Sequence, residues 1–124
     1  METKERNVLS LAYIGDGIYE LMVRDYLVKQ GNLKVNDLQH LAIKYVSAKA
    51  QREILEKIIN SNILNEEEIN IIHRARNNTS GRHPKNTDIV TYKYATGLEA
   101  LFGYLYLEKD YERLKELMKY VTGE

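Results

Sequence analysis

The stretch NVLSLAYIGDGIYE, residues 7–20, decides how this chain is read. Its apolar residues recur at three- and four-residue steps, the period of a helix rather than a strand. Leu9, Ala12, Tyr19, Val23 and Leu27 predict one buried face of a helix over residues 5–29. Gly31 follows as its stop, since glycine enters the left-handed conformation of a helix end at no steric cost. From Asn7 to Tyr19 the only charged residue is Asp16. At 100° per residue Asp16 is expected on the apolar face, where a carboxylate needs a partner, a proton or a metal.

A second stretch repeats the pattern. In YATGLEALFGYLYL, residues 94–107, the only charge is Glu99. Four of the seven glycines, Gly15, Gly17, Gly97 and Gly103, flank the two acids. Each mid-helix glycine costs about 0.8–1 kcal/mol relative to alanine, so four of them point to close helix approach or to space kept for something bound. Carboxylates on facing helices can hold a hard cation such as Mg²⁺. The alternative is internal pairing, with Asp16 bonded to a tyrosine hydroxyl and Glu99 to an arginine or lysine. Both stand at this point.

Outward from these stretches, the chain predicts helices throughout: a second from Val35 and Asn36, capped by Asn36, and a third over residues 48–60, capped by Ser47. A fourth runs to Asn77, with Glu66, Glu67 and Glu68 favourable in its first turn. A fifth covers 88–107 and a sixth 111–120. Residues 78–87, NTSGRHPKNT, are dense in breakers and read as a loop. The expected architecture is all-α, one domain of about six helices over residues 1–124. A length of 124 residues suits one domain. The absence of Cys excludes disulfides and thiolate metal sites. His40, His73 and His83 lack zinc-ligand spacing. No apolar run is long enough to span a membrane and no signal peptide is visible, so a cytoplasmic location is expected.

The 18 basic and 18 acidic residues cancel, which by itself argues against nucleic acid. Their placement argues the other way. Residues 73–93 hold Arg74, Arg76, Arg82, Lys85 and Lys93 against the single acid Asp88, a net +4 that leaves −4 for the remainder. With Asn78, Ser80, His83 and Asn86 these groups suit phosphate and sugar contacts. Ten Tyr and no Trp make an unusual aromatic set. Tyr13 lies off the buried face of the first helix, so that helix is apolar on two sides and a second subunit is expected to cover one of them.

LAYIGDGIYE (residues 11–20) resembles the signature motif of the ribonuclease III catalytic domain, and LEALFGYLYL (residues 98–107) resembles that family's second acidic motif. Within the family the chain looks most like the compact bacterial Mini-III branch. The resemblance implies a homodimeric endoribonuclease that cuts double-stranded RNA by metal-activated water and leaves 5′-phosphate ends. Asp16 and Glu99 would be its catalytic metal ligands for Mg²⁺, with Mn²⁺ as a substitute. Tyr13 would be the dimer contact, in place of the family's usual Phe. The resemblance further implies 23S ribosomal RNA precursor as substrate and a ribosomal protein as a further partner. Full-length relatives carry two further acids, where this chain has Ala12 and Thr96, so water is expected to complete the metal shell. They also carry a separate RNA-binding domain for which this chain is too short, so the 73–93 segment is expected to carry more of the RNA contact. Two other readings remain: a non-catalytic duplex-RNA-binding dimer of the same fold, and a helical protein-interaction module.

Overall fold

Asn7 starts the first long helix by local hydrogen bonding: its side-chain oxygen accepts from the main-chain N–H of Leu9 at 2.8 Å and of Ser10 at 3.3 Å, as an N-cap should. The computed structural model describes residues 1–31, 33–78 and 83–124, and all statements of structure concern these. A short 3-10 turn, Thr3–Glu5, precedes six helices: α1 (Val8–Lys29), α2 (Val35–Val46), α3 (Ala48–Asn60), α4 (Glu66–Asn78), α5 (Ile89–Leu107) and α6 (Tyr111–Thr122). No strand occurs among the described residues. The all-α architecture expected from the periodicity is the one found.

Capping explains most boundaries. Ser47 accepts from Ala50 N–H at 3.2 Å and starts α3. Asp88 accepts from Thr91 N–H at 2.9 Å and starts α5. Gly31, at φ 88°, follows the end of α1, and Gly123, at φ 81°, ends α6. Asn36 does not cap α2. That helix begins at Val35, after Lys34, with no side-chain cap. Its first turn is exposed, so water can satisfy the free N–H groups.

Helix α5 is the centre of the packing, with α1 against one side and α3 and α4 against the other. This is why its sequence is apolar all round. Tyr19 and Phe102 meet edge to face at 5.1 Å, within a core that also takes Leu55 and Ile58 from α3 and Leu117 from α6. The Tyr19 hydroxyl donates to the Tyr45 carbonyl at 2.6 Å and ties α2 to α1. A second cluster of Val8, Leu11, Ala12, Ile71, Ala75 and Ala100 lets α1, α4 and α5 meet closely through small side chains.

The buried stripe of α1 differs from the expected one at its start. Val8 and Leu11 are buried, whereas Leu9 is 42% exposed. The stripe therefore runs through Gly15, with Asp16 beside it and exposed.

At the start of α4, Asn65 and Glu68 form a reciprocal cap: Asn65 accepts from Glu68 N–H at 2.8 Å, and Glu68 accepts from Asn65 N–H at 2.9 Å. Glu68 is only 1% exposed, and Arg113 of α6 neutralises it through two hydrogen bonds of 2.8 and 2.7 Å. Arg113 also donates to the Ile63 carbonyl at 2.6 Å. A first-turn acid that reads as a dipole partner is thus also the clamp between α4 and α6.

Candidate active site

Two glycines set the distance between the acids. A Cβ on Gly15 would collide with the main-chain carbonyl of Glu99 and lie 2.8 Å from Gly103 N; a Cβ on Gly103 would collide with the Leu11 carbonyl. Leu11 meets Gly103 and Gly15 meets Glu99, so the residue numbers run in opposite senses and the helices cross antiparallel with backbones in contact. The residue after Gly15 is Asp16, and this crossing brings its carboxyl to that of Glu99. Gly97 serves a different contact, against Ile72, Leu55 and Arg76 on α4 and α3, and Gly17 faces open space. Close approach therefore accounts for three of the four flanking glycines.

Asp16 is exposed and Glu99 half-buried. The expectation that both face the apolar interior holds only in part, because the stripe of α1 passes through Gly15. Glu99 is pushed up to about 8 from 4.5 by its burial first, then by the negative charge of Asp16 and a shared hydrogen bond with it; Gln51 acts in the opposite direction. Near neutral pH the pair therefore retains a proton. A divalent cation would replace that proton and relieve the repulsion. The donor set of carboxyl oxygens fits a hard cation such as Mg²⁺. Among the described residues no third His, Cys, Asp or Glu joins them. Ala12 and Thr96 are both buried at 6% exposure, and the Thr96 hydroxyl is turned back to the Tyr92 carbonyl at 2.9 Å.

The basic residues divide by what holds them. Arg74 donates to the main-chain carbonyls of Lys4 at 2.6 Å and Arg6 at 3.0 Å, so its guanidinium fastens the N-terminal segment. Arg76 instead stacks on Tyr94, 4.3 Å from the ring centre, and its buried Nε has no hydrogen-bond partner. The Arg52 guanidinium lies 5.3 Å from the same ring and donates to the Thr91 hydroxyl at 2.9 Å. Asn78 is turned back to the Arg74 carbonyl at 2.7 Å. His83, Lys85 and Asn86 are exposed, and Lys93 is half-buried. Ser80 and Arg82 lie outside the described residues. Asn86 opens onto a cleft of about 580 Å³ with Lys49, Arg52, Asp88 and Thr91. The Asp88 carboxyl is held below the usual range first by the Thr91 N–H, then by the Thr91 hydroxyl and, further down, by the charge of Arg52.

Sequence reasoning missed Gln51, Arg52 and Tyr94 as members of this region. Gln51 carried a signal: it is the polar residue on the Ile54–Leu55–Ile58 face of α3. Arg52 carried none, because an arginine on an amphipathic helix reads as solvent-facing. Tyr13 is 86% exposed, on the side of α1 away from the core.

The site is thus a backbone-contact crossing of two helices, each presenting one acid. Residues 9–110 match the model of the ribonuclease III domain. The chain is 47% identical to Mini-ribonuclease 3 of Enterococcus faecalis over 94% of its length and 89% of the relative's. It is 50% identical to Mini-ribonuclease 3 of Desulfitobacterium hafniense over 90% of this chain and 69% of that one. A crystal structure of a Fusobacterium nucleatum protein superposes with a TM-score of 0.86 at 36% identity, over 97% of this chain and 96% of that one. The chain belongs to the ribonuclease III family of double-stranded-RNA endoribonucleases.

Proposed function

We propose that residues 1–124 form a ribonuclease III-like catalytic domain that hydrolyses double-stranded RNA at a site built on Asp16 and Glu99, with Mg²⁺ as cofactor. The observation that carries this is the meeting of the two carboxyls across the Gly15–Gly103 crossing. Asp16, exposed, presents its oxygens to an incoming phosphate and its counter-ion. Glu99, half-buried, releases its proton when a cation binds and so switches from a neutral to a charged ligand. A divalent cation bound there supplies charge neutralisation at the scissile phosphate and a water of lowered pKa. No side-chain nucleophile is required.

The Arg76 guanidinium, with His83, Lys85, Asn86 and Lys93, tracks the duplex backbone. Ser80 and Arg82, outside the described residues, are added as RNA contacts from the composition of the segment alone, whereas Arg74 and Asn78 support the contact through their internal bonds. Recognition rests on A-form shape. Exposed Tyr13 at 86%, Leu21 at 61% and Leu9 at 42% give α1 an apolar outer side that suits a second copy of the chain. Two-fold pairing would place two sites on one duplex, one for each strand. The 23S ribosomal RNA precursor is the substrate that the resemblance implies.

The test is incubation of the protein with long duplex RNA, with Mg²⁺ and with chelator. We expect 5′-phosphate products with Mg²⁺ alone, and none from Asp16→Asn or Glu99→Gln with folding retained. Binding without cutting in Mg²⁺, or unchanged cutting by either variant, refutes the assignment.

A further inference from the structure

Two buried side-chain nitrogen or oxygen atoms among the described residues lack a hydrogen-bond partner: Arg76 Nε and Gln51 Oε1. The first belongs to the guanidinium that lies over the Tyr94 ring. The second is not explained by the fold. Gln51 is 3% exposed, and its Nε2 donates to the Val46 carbonyl at 3.0 Å. That bond settles the orientation of the amide, since the flipped form would set two oxygens against each other. Oε1 is left with no donor, in a protein whose Glu68, Thr91 and Thr96, also buried, are each hydrogen-bonded. Unpaired buried acceptors are uncommon and call for a reason.

The reason lies across the α3–α5 contact. The Gln51 side chain lies within reach of the Glu99 carboxyl where α3 packs on α5. With Ala12 and Thr96 in place of further acids, only two protein carboxyls serve the site. Mg²⁺ keeps several waters in such a setting, and the waters of a dication are strong donors.

We propose that Gln51 is a positioning residue of this site: its carboxamide, anchored on Val46, holds the Glu99 carboxyl beside Asp16, and its Oε1 accepts a hydrogen bond from a water of the bound cation. The inference rests on the proposed function of the Asp16–Glu99 pair and adds to it a third member, from a third helix.

Two variants separate the amide from the volume it fills. Gln51→Met has nearly the same length and Gln51→Leu a similar buried bulk; neither carries the amide. Two Mg²⁺ titrations are read: the rise in melting temperature without RNA, and the cleavage of duplex RNA. For Gln51→Met we expect both midpoints to move up about tenfold, as for other outer-shell partners of metal ligands, with KM for RNA unchanged. For Gln51→Leu we expect a rise of the same size. Unmoved midpoints in Gln51→Met overturn the proposal while the parent reading stands. So do unmoved midpoints in Gln51→Leu, which also decides the matter should Gln51→Met fail to fold. A wild-type protein that neither cleaves duplex RNA nor gains stability from Mg²⁺ overturns both.

Discussion

The Cα of Gly15 rests on the main-chain carbonyl of Glu99, with no room between them for a methyl group. One helix turn away Gly103 does the same to the carbonyl of Leu11. The two contacts lock α1 and α5 in register, and the register places Asp16 beside Glu99. Stability and site geometry thus depend on the same two missing side chains.

Gly15→Ala and Gly103→Ala should each lose about 3 kcal/mol or more, because backbone cannot yield as a flexible side chain does. Gly17→Ala should gain about 0.5–1 kcal/mol, since its Cβ would meet nothing within 4 Å and alanine favours helix. Urea denaturation of the three variants checks the ordering; three equal effects would contradict the crossing.

The proton on Glu99 makes the metal-free fold pH-dependent. Its carboxyl titrates near 8 when folded against 4.5 ordinarily, so the folded state binds more protons between those values. Stability from this group is complete below the lower value and is lost as pH rises through the higher one. Glu99→Gln should remove the dependence and melt about 3–6 °C above wild type at pH 8 without metal, with the gap closing near pH 4. Asp16→Asn should shift the inflection to lower pH. Melting curves across pH 4–9 give the answer.

The Arg113–Glu68 clamp predicts an asymmetry between one change and two. Arg113→Met strands a carboxylate that is 1% exposed and should cost about 3–5 kcal/mol. The double variant Glu68→Leu/Arg113→Met should lose less than Arg113→Met alone, because no buried charge remains. Equal or greater loss would show that the capping bond to Asn65, not the ion pair, dominates.

Arg74 and Arg76 stand two residues apart and should behave oppositely. Arg76→Ala should weaken duplex-RNA binding and reduce the slope of log K against log salt by about 1, the signature of one lost phosphate contact. Arg74→Ala should leave the slope unchanged and lower the melting temperature, since its donors hold the carbonyls of Lys4 and Arg6. Filter binding at several salt concentrations distinguishes them.

Much of this molecule is determined by sequence alone. Helix type, number and most boundaries follow from local interactions: apolar period, the Asn7, Ser47 and Asp88 caps and the Gly31 stop. The two acids stand out because each is the only charge in a long apolar run. What lay beyond the sequence is relative placement. Which face of α1 is buried was off at its start, because the crossing is set by Gly15 and Gly103, which have no side chain to register in a hydrophobic pattern. The roles of Arg74, Arg76, Arg52 and Gln51 were likewise undetermined. A guanidinium or carboxamide is chemically the same at every position, and only the packing of α3, α4 and α5 decides whether it meets a carbonyl, a tyrosine ring or the Glu99 carboxyl.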